Sequence, residues 1–172
     1  MDNREPMLIS VPRFADSRGS FTKPFSASIE GAPAMTIDEI YWSISHRGVI
    51  RGMHFQTQPH GIAKLVWVSR GSILDYLVDL REGPSYGELH RFDLSVTSPD
   101  VLFVPVGFGH GFQSLEDDTT VYYAVDGAFS PQHDKGVAWD SIGADWPLEH
   151  PEVSDRDRSH PTLHDFSDRF TS

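Results

Sequence analysis

The residues best equipped for chemistry stand in one stretch, Arg47-Gly48-Val49-Ile50-Arg51-Gly52-Met53-His54-Phe55-Gln56, with Lys64 ten residues beyond His54. A histidine titrates near neutrality, and a lysine is a compact cation. Together they meet the needs of proton removal beside a carbonyl: a base for the carbon acid and a positive charge for the enolate oxygen. In a regular strand, side chains alternate between faces, so Arg51 and His54 would point opposite ways. Gly52 between them predicts a bulge or bend that re-aims one of the two. A turn at Pro59-His60-Gly61 leads into Lys64-Leu65-Val66-Trp67-Val68, a neighbouring strand able to bring Lys64 to the same cavity as His54.

The elements that must hold these groups read as strands. Extended or alternating runs cover residues 7–13, 20–25, 37–45, 47–56, 63–69, 73–80, 87–94 and 101–104. Residues 110–115 and 119–125 read as a hairpin around Glu116-Asp117-Asp118, and residues 26–36 as small and turn-rich. Many short strands with Gly and Pro punctuation predict an all-β sandwich or barrel. No long segment has a helical period. Residues 140–172 are polar and Pro-containing, which predicts an irregular outer wrap with a short helix near 162–170. The charged run 153–160 reads as a solvated loop, and His46, His60, His90, His133, His150, His160 and His164 as surface or loop residues. Trp67, Trp139 and Trp146 read as packing residues.

Composition narrows the function classes. A chain of 172 residues suits one domain, taken here as residues 1–172, with a sizeable core. A formal charge of −11 argues against nucleic-acid binding. An anionic substrate therefore needs its cations gathered locally. With no cysteine there is no disulfide, thiolate nucleophile or zinc-thiolate site. No apolar run is long enough to span a bilayer and no signal pattern opens the chain, so a cytoplasmic protein without a membrane partner is expected.

A second constellation is Pro105-Val106-Gly107-Phe108-Gly109-His110-Gly111-Phe112, whose glycines let the backbone bend tightly around His110. It resembles the second conserved motif of the cupin jelly roll. The earlier cupin motif carries a His-x-His pair in metal-binding members, and here His54 and Gln56 break that pair. His54, His60 and His110 remain as a conceivable three-histidine set, but acidic ligands at suitable spacing are lacking, and no metal is expected.

Taken together, residues 8–165 resemble the dTDP-4-dehydrorhamnose 3,5-epimerase family of sugar-nucleotide epimerases. The resemblance is carried in order by Asp16-Ser17-Arg18-Gly19, Arg51 to Gln56, Lys64-Leu65-Val66, Val78 to Arg81, Pro84 to Gly87, Pro105 to Phe112 and Ile142 to Pro147. It implies a cupin-type jelly roll, all-β with a short C-terminal helical or irregular segment, usually a homodimer and free of metal and organic cofactor. The implied activity is inversion of C3, C5 or both on a nucleotide-linked 4-keto-6-deoxyhexose. By position it implies His54 as base, Asp157 as its orienting carboxylate, Lys64 beside the sugar ketone and Tyr123, rather than Tyr122, as the acid on the opposite face. Arg51 and His110 match substrate-binding positions, Arg18 an arginine that reaches the nucleotide or its phosphates, Arg156 a basic position, and Asp134 replaces a glutamate.

Three departures fall on the nucleotide side. Glu39-Ile40-Tyr41, followed by Trp42-Ser43, stands where the family has Gln-Asp-Asn. Ala128 stands where an aromatic stacks on thymine, and Lys23 where an acidic residue follows the Arg-Gly turn. The phosphates are then expected to meet Arg18, Lys23, Arg51 and Arg156, and the base to lie on Phe129, Tyr41 or Trp42. An epimerase of a CDP-linked keto sugar, acting at C3 or C5, is the natural alternative. A metal-dependent cupin oxygenase and a non-catalytic sugar-binding jelly roll are the readings from other classes.

Overall fold

The computed structural model describes residues 5–26, 33–167 and 170. Most of the turn-rich segment expected at 26–36 lies outside them. Among the described residues thirteen strands and one helical turn follow in order: β1 Met7–Ile9, β2 Arg13–Asp16, β3 Gly19–Thr22, β4 Glu39–Ser45, β5 Val49–Gln56, β6 Lys64–Arg70, β7 Ser72–Asp79, β8 Leu89–Ser95, β9 Val101–Val104, β10 Phe108–Ser114, β11 Thr119–Val125, β12 Asp134–Gly136, β13 Glu152–Val153 and α1 Asp155–Arg158.

Two sheets form a jelly-roll sandwich. One runs β1-β9-β6-β11-β4, and the other β12-β5-β10-β7-β8 with β13 added parallel to β5. The hairpin β2–β3 stands apart. The run 110–125 is therefore not a paired hairpin, contrary to expectation. β10 pairs with β5 and β7, β11 with β6 and β4, and the turn at 115–118 carries the chain across the sandwich. Local sequence shows two strands and a turn in either case; which sheet each strand joins is decided by long-range pairing.

The two-residue period of a strand explains both the core and the site. Facing inward are Val66 and Val68 from β6, Leu77 from β7, Phe108 and Phe112 from β10, and Val121 and Tyr123 from β11, all in one buried cluster. Each such side chain contributes about 1.5–3 kcal/mol on burial. On the same parity lie Lys64 on β6, Asp75 on β7 and His110 on β10, all buried. The polar site thus occupies inward positions of strands whose other inward positions are apolar core.

A second cluster covers the outer face of the β5–β10–β7 sheet. Met53, Phe55, Leu74 and Tyr76 meet Val137, Ile142, Phe166 and Phe170 of the C-terminal segment, with Trp146 packed against them. The outer wrap is thus present. Its helix is α1 at Asp155–Arg158 rather than one near 162–170, where only a turn forms around Leu163–Asp165 among the described residues. Ser154 caps α1, its Oγ accepting the Asp157 N–H at 3.1 Å.

Candidate active site

A bulge in β5 builds the site. His54 is the Cα partner of His110, and Arg51 that of Phe112, so three steps on β5 oppose two on β10. The extra residue turns Arg51 and His54 to the same cleft, as Gly52 predicted. The strands approach so closely here that a Cβ on Gly52 would stand 2.5 Å from the Gly111 Cα, and Gly52 has φ +151°.

The bulge also opens the outer edge of β5. β12 pairs with residues 54–56 and β13 with 49–50, leaving a gap between. Into that gap α1 inserts Asp157. Its Oδ1 lies 2.7 Å from His54 Nε2, and its Oδ2 accepts the Gly52 N–H at 3.4 Å. An ionised carboxylate only accepts, so His54 donates from Nε2 and keeps its lone pair on Nδ1. Burial holds His54 below the ordinary histidine pKa, against the opposing pull of Asp157. The ring is therefore a neutral base at neutral pH. Burial alone would raise Asp157, but the imidazoles of His160 and His54 outweigh it and hold the carboxyl far below the usual range.

The cleft has a volume of about 310 Å³. His54 and Arg51 line it from one sheet, Lys64 and Tyr123 from the other. Lys64 is buried, with Nζ donating to the His54 carbonyl at 3.3 Å. Burial pushes its ammonium down to about 8, while Asp134 and Asp75 resist. Tyr123 is also buried and stacks on Tyr41, ring centroids 4.9 Å apart, with Ser43 Oγ at 3.5 Å from its hydroxyl. Burial raises the Tyr123 phenol well above its ordinary value, so it is an O–H donor at neutral pH. Tyr41 is pushed up to about 12 by burial and by Glu39 and Asp134. Tyr122 faces away, stacked on Trp67.

His110 donates from Nε2 to Asp75 Oδ2 at 2.8 Å in a fully buried pair. Burial lifts the Asp75 carboxyl, against the attraction of His110. At the rim, Arg156 pairs with Asp134 at 2.7 Å, which ties α1 to β12. Arg51 is held by Ser45 Oγ at 3.0 Å and by the Ile44 carbonyl. Phe129 also lines the cleft, its backbone N–H bonded to Glu39 Oε1 at 3.2 Å. Gln56 secures the same loop, donating to the Ala128 carbonyl and accepting from the Ser130 N–H. Trp42 instead packs on Tyr122, outside the cleft.

Two expected residues lie elsewhere. Arg18 and Lys23 belong to the β2–β3 hairpin and its exit, where Arg18 is 88% exposed and paired with Asp16 at 2.6 Å. This hairpin has its own shallow cleft and adds no residue to the one around His54. The trio His54, His60 and His110 does not converge either. His60 packs at a tilt against His133, and the group that could hold a metal among the described residues is His54, Asp157 and His160. A cation there would take the Nε2 that now donates to Asp157.

Sequence reasoning passed over Asp75 and His160. Asp75 had a signal, since a carboxylate inside the apolar run Ile73–Leu80 must be buried and paired. The run 153–160 also had one: Ser154 with Asp157 three residues on is a helix-start pattern.

The comparisons with known proteins agree with this architecture. The family model for dTDP-4-dehydrorhamnose 3,5-epimerase matches residues 3–165. The dTDP-4-dehydrorhamnose 3,5-epimerase of Sinorhizobium fredii is 38% identical over 169 residues, spanning 92% of this chain and 85% of the relative. The dTDP-4-dehydrorhamnose 3-epimerase of Streptomyces niveus is 35% identical over 157 residues, spanning 87% and 75%. The crystal structure of dTDP-4-dehydrorhamnose 3,5-epimerase from Bacillus anthracis, with TDP and PPi bound, superposes with a TM-score of 0.88 at 35% identity, covering 94% of this chain and 96% of that one. A match that runs from β1 into the turn beyond α1 takes in every strand around the cleft, and by it the chain belongs to the dTDP-4-dehydrorhamnose 3,5-epimerase family.

Proposed function

We propose that the chain is an isomerase that epimerises a dTDP-linked 4-keto-6-deoxyhexose without metal or organic cofactor. The observation that carries this is the placement of a neutral histidine base and a protonated tyrosine on opposite sheets of one cleft, with a buried ammonium beside them. The carbonyl at C4 makes the neighbouring C–H groups acidic. His54 Nδ1 takes one proton, and the C–H electron pair moves into the enolate, with negative charge on the C4 oxygen. Lys64 stabilises that oxygen. The enolate carbon then takes a proton from the Tyr123 hydroxyl on its other face, which inverts the centre. Asp157 holds the ring and steadies the imidazolium that forms, without itself being protonated.

Substrate binding completes the assignment. Arg51, His110, Asp134, Arg156 and Phe129 surround the cleft and are taken as substrate contacts. The diphosphate calls for cations, which a chain of charge −11 must concentrate locally. Arg18 and Lys23 join this set through a homodimer. The hairpin exposes Phe14 (64%) and Phe21 (60%), and edge strand β4 turns Ile40, Trp42 and Ile44 outward. Such apolar surface on an unpaired edge fits a second copy of the chain, whose hairpin then brings Arg18 to its neighbour's cleft. No described helix is long and apolar enough to cross a membrane. A cytoplasmic place of action is part of the proposal, because that is where a nucleoside-diphosphate sugar is available.

The test is NMR of dTDP-4-keto-6-deoxyglucose with the enzyme in deuterated water. Deuterium should appear at C3, C5 or both, with an inverted product. No exchange at either carbon would sink the assignment. Exchange at C3 alone would class the chain with the 3-epimerase type named for the Streptomyces niveus relative.

A further inference from the structure

His160 is an enclosed titratable residue whose one effect so far is to help hold the Asp157 carboxyl low. Its side chain is 12% exposed, and its Nε2 atom is fully enclosed with no hydrogen-bond partner. That nitrogen lies 3.6 Å from Asp157 Oδ1, the oxygen that His54 Nε2 meets at 2.7 Å. The two imidazoles meet edge-on, centroids 5.8 Å apart and planes at 77°. A polar atom buried without a bond is costly, so a fold that keeps one beside its base has a use for it to be sought.

The surroundings are shaped around this ring. Gly136 on β12 is the Cα partner of His54, and a Cβ on it would come within 2.5 Å of His160 Cδ2. A side chain at position 136 would therefore push the imidazole at position 160 from its place. On the other side His160 lines a separate outer cleft of about 360 Å³, together with Lys135, Asp165 and Phe166. His160 thus stands as a wall between the His54–Asp157 pair and solvent. The other charged or titratable neighbours around the pair are Lys64 on β6, whose Nζ meets the His54 carbonyl, Arg156 on α1, and Asp134, Lys135 and Asp165 along the outer cleft.

Asp157 has few other restraints. Its Oδ2 has only the long bond from Gly52, and its backbone is fixed by one helical turn. We propose that His160 is a positioning residue, which confines the Asp157 carboxylate from the side of the outer cleft so that Oδ1 stays aimed at His54 Nε2. Without it nothing polar faces Oδ1 from the outer cleft, and the carboxylate can turn away from His54. His54 then loses part of the partner that favours its protonated form, and becomes a weaker base. This rests on the epimerase assignment for its consequence in turnover, but its geometric part does not.

The experiment compares wild type, His160→Leu and His160→Gln. The His54 ring is titrated by NMR in the free enzyme, and kcat and KM are measured with dTDP-4-keto-6-deoxyglucose. In His160→Leu the His54 midpoint should move to lower pH and kcat should fall about tenfold, with KM within about twofold of wild type. Glutamine can present a polar N–H to Asp157 Oδ1 from the side where His160 Nε2 stands at 3.6 Å, so His160→Gln should recover most of both. An unchanged His54 midpoint in His160→Leu overturns the proposal. So does an equal loss in both variants with the midpoint unmoved, which is what simple packing against Gly136 would give. The ring titration needs no turnover, so a protein inactive on this sugar overturns the assigned function while the positioning claim is still decided.

Discussion

The two ends of the cleft are built differently. At the chemical end, Lys64, Tyr123, His110 and Asp157 are buried, and each is held by a named partner from another element. At the end proposed for the nucleotide, Phe129 sits exposed on a loop and Arg156 is half exposed, while Arg18, proposed to reach a neighbour's cleft, lies on a hairpin that pairs with neither sheet. A group on an inward strand position cannot change without disturbing the core beside it, whereas a rim residue can. The three departures that the resemblance implies, at 39–41, 23 and 128, fall on exposed or half-buried positions, although Tyr41 also stacks on Tyr123 in the cleft. Change collects where burial does not forbid it, so substrate specificity can drift while the proton chemistry stays.

The largest effect should come from the buried end. His54→Asn removes the base and keeps a similar shape, so exchange at both carbons should fall by at least about 10²–10⁴-fold with the fold intact. Substantial exchange in a folded variant would move the base elsewhere.

Lys64→Met should be next. Loss of the ammonium removes enolate stabilisation, and kcat should drop about 10²–10³-fold. The same pair sets the pH profile. His54 must be neutral, so kcat/KM should rise with pH through a limb below the ordinary histidine value of about 6.5. Lys64 must be charged, so kcat/KM should decline above about 8 in the wild type. The basic limb should vanish in Lys64→Met, and a limb that persists would belong to another group.

Tyr123→Phe separates two functions that His54→Asn removes together. The base still exchanges protons on its own face, but nothing delivers one to the other face. Inversion should fall about 10²-fold while deuterium exchange falls far less. An equal loss of both would make Tyr123 a positioning group.

How much of this was legible in the sequence follows the same division. Period-two alternation and Gly-Pro punctuation predict the strands, and Gly52 predicts the bulge, because these are local consequences of backbone sterics. The 110–125 hairpin was misread because pairing partners lie far away in sequence. His54 and Lys64 announce themselves by type and spacing. Asp157 does so through family resemblance; Ser154 three residues before it marks a helix start, but that pattern does not tell a carboxylate inserted into a strand-edge gap from one that stays in water. His160 was lost for the same reason. Arg18 and Lys23 have a suitable chemistry, but one chain places them away from the cleft, and no local pattern reports an assembly.

That assembly gives the fourth prediction, a moderate one. Arg18→Ala should raise KM about tenfold and leave kcat near wild type, as expected for uniform binding to a remote phosphate. Sedimentation should find a dimer at micromolar concentration. A monomer with full activity would show that the hairpin serves no neighbouring site.

The smallest effect should lie at Phe129. It is 61% exposed, it is held by one backbone bond to Glu39, and it adjoins Ala128, where the resemblance implies a stacking aromatic. Stacking of a base on an aromatic is worth about 1–3 kcal/mol and tolerates different bases. An exposed ring on a loop should give the low end of that range, so Phe129→Ala should weaken dTDP binding about fivefold. Competition by dTDP, CDP and UDP then measures how selective the rim is. With stacking in place of edge hydrogen bonds, the three should differ by less than about a hundredfold, roughly 2.7 kcal/mol. Phe129→Ala should weaken all three alike, because it removes a surface and not a code. A larger preference for dTDP that survives the substitution would place thymine recognition deeper, on the Tyr41 and Ser43 wall, and the nucleotide end would then share the buried construction of the chemical end.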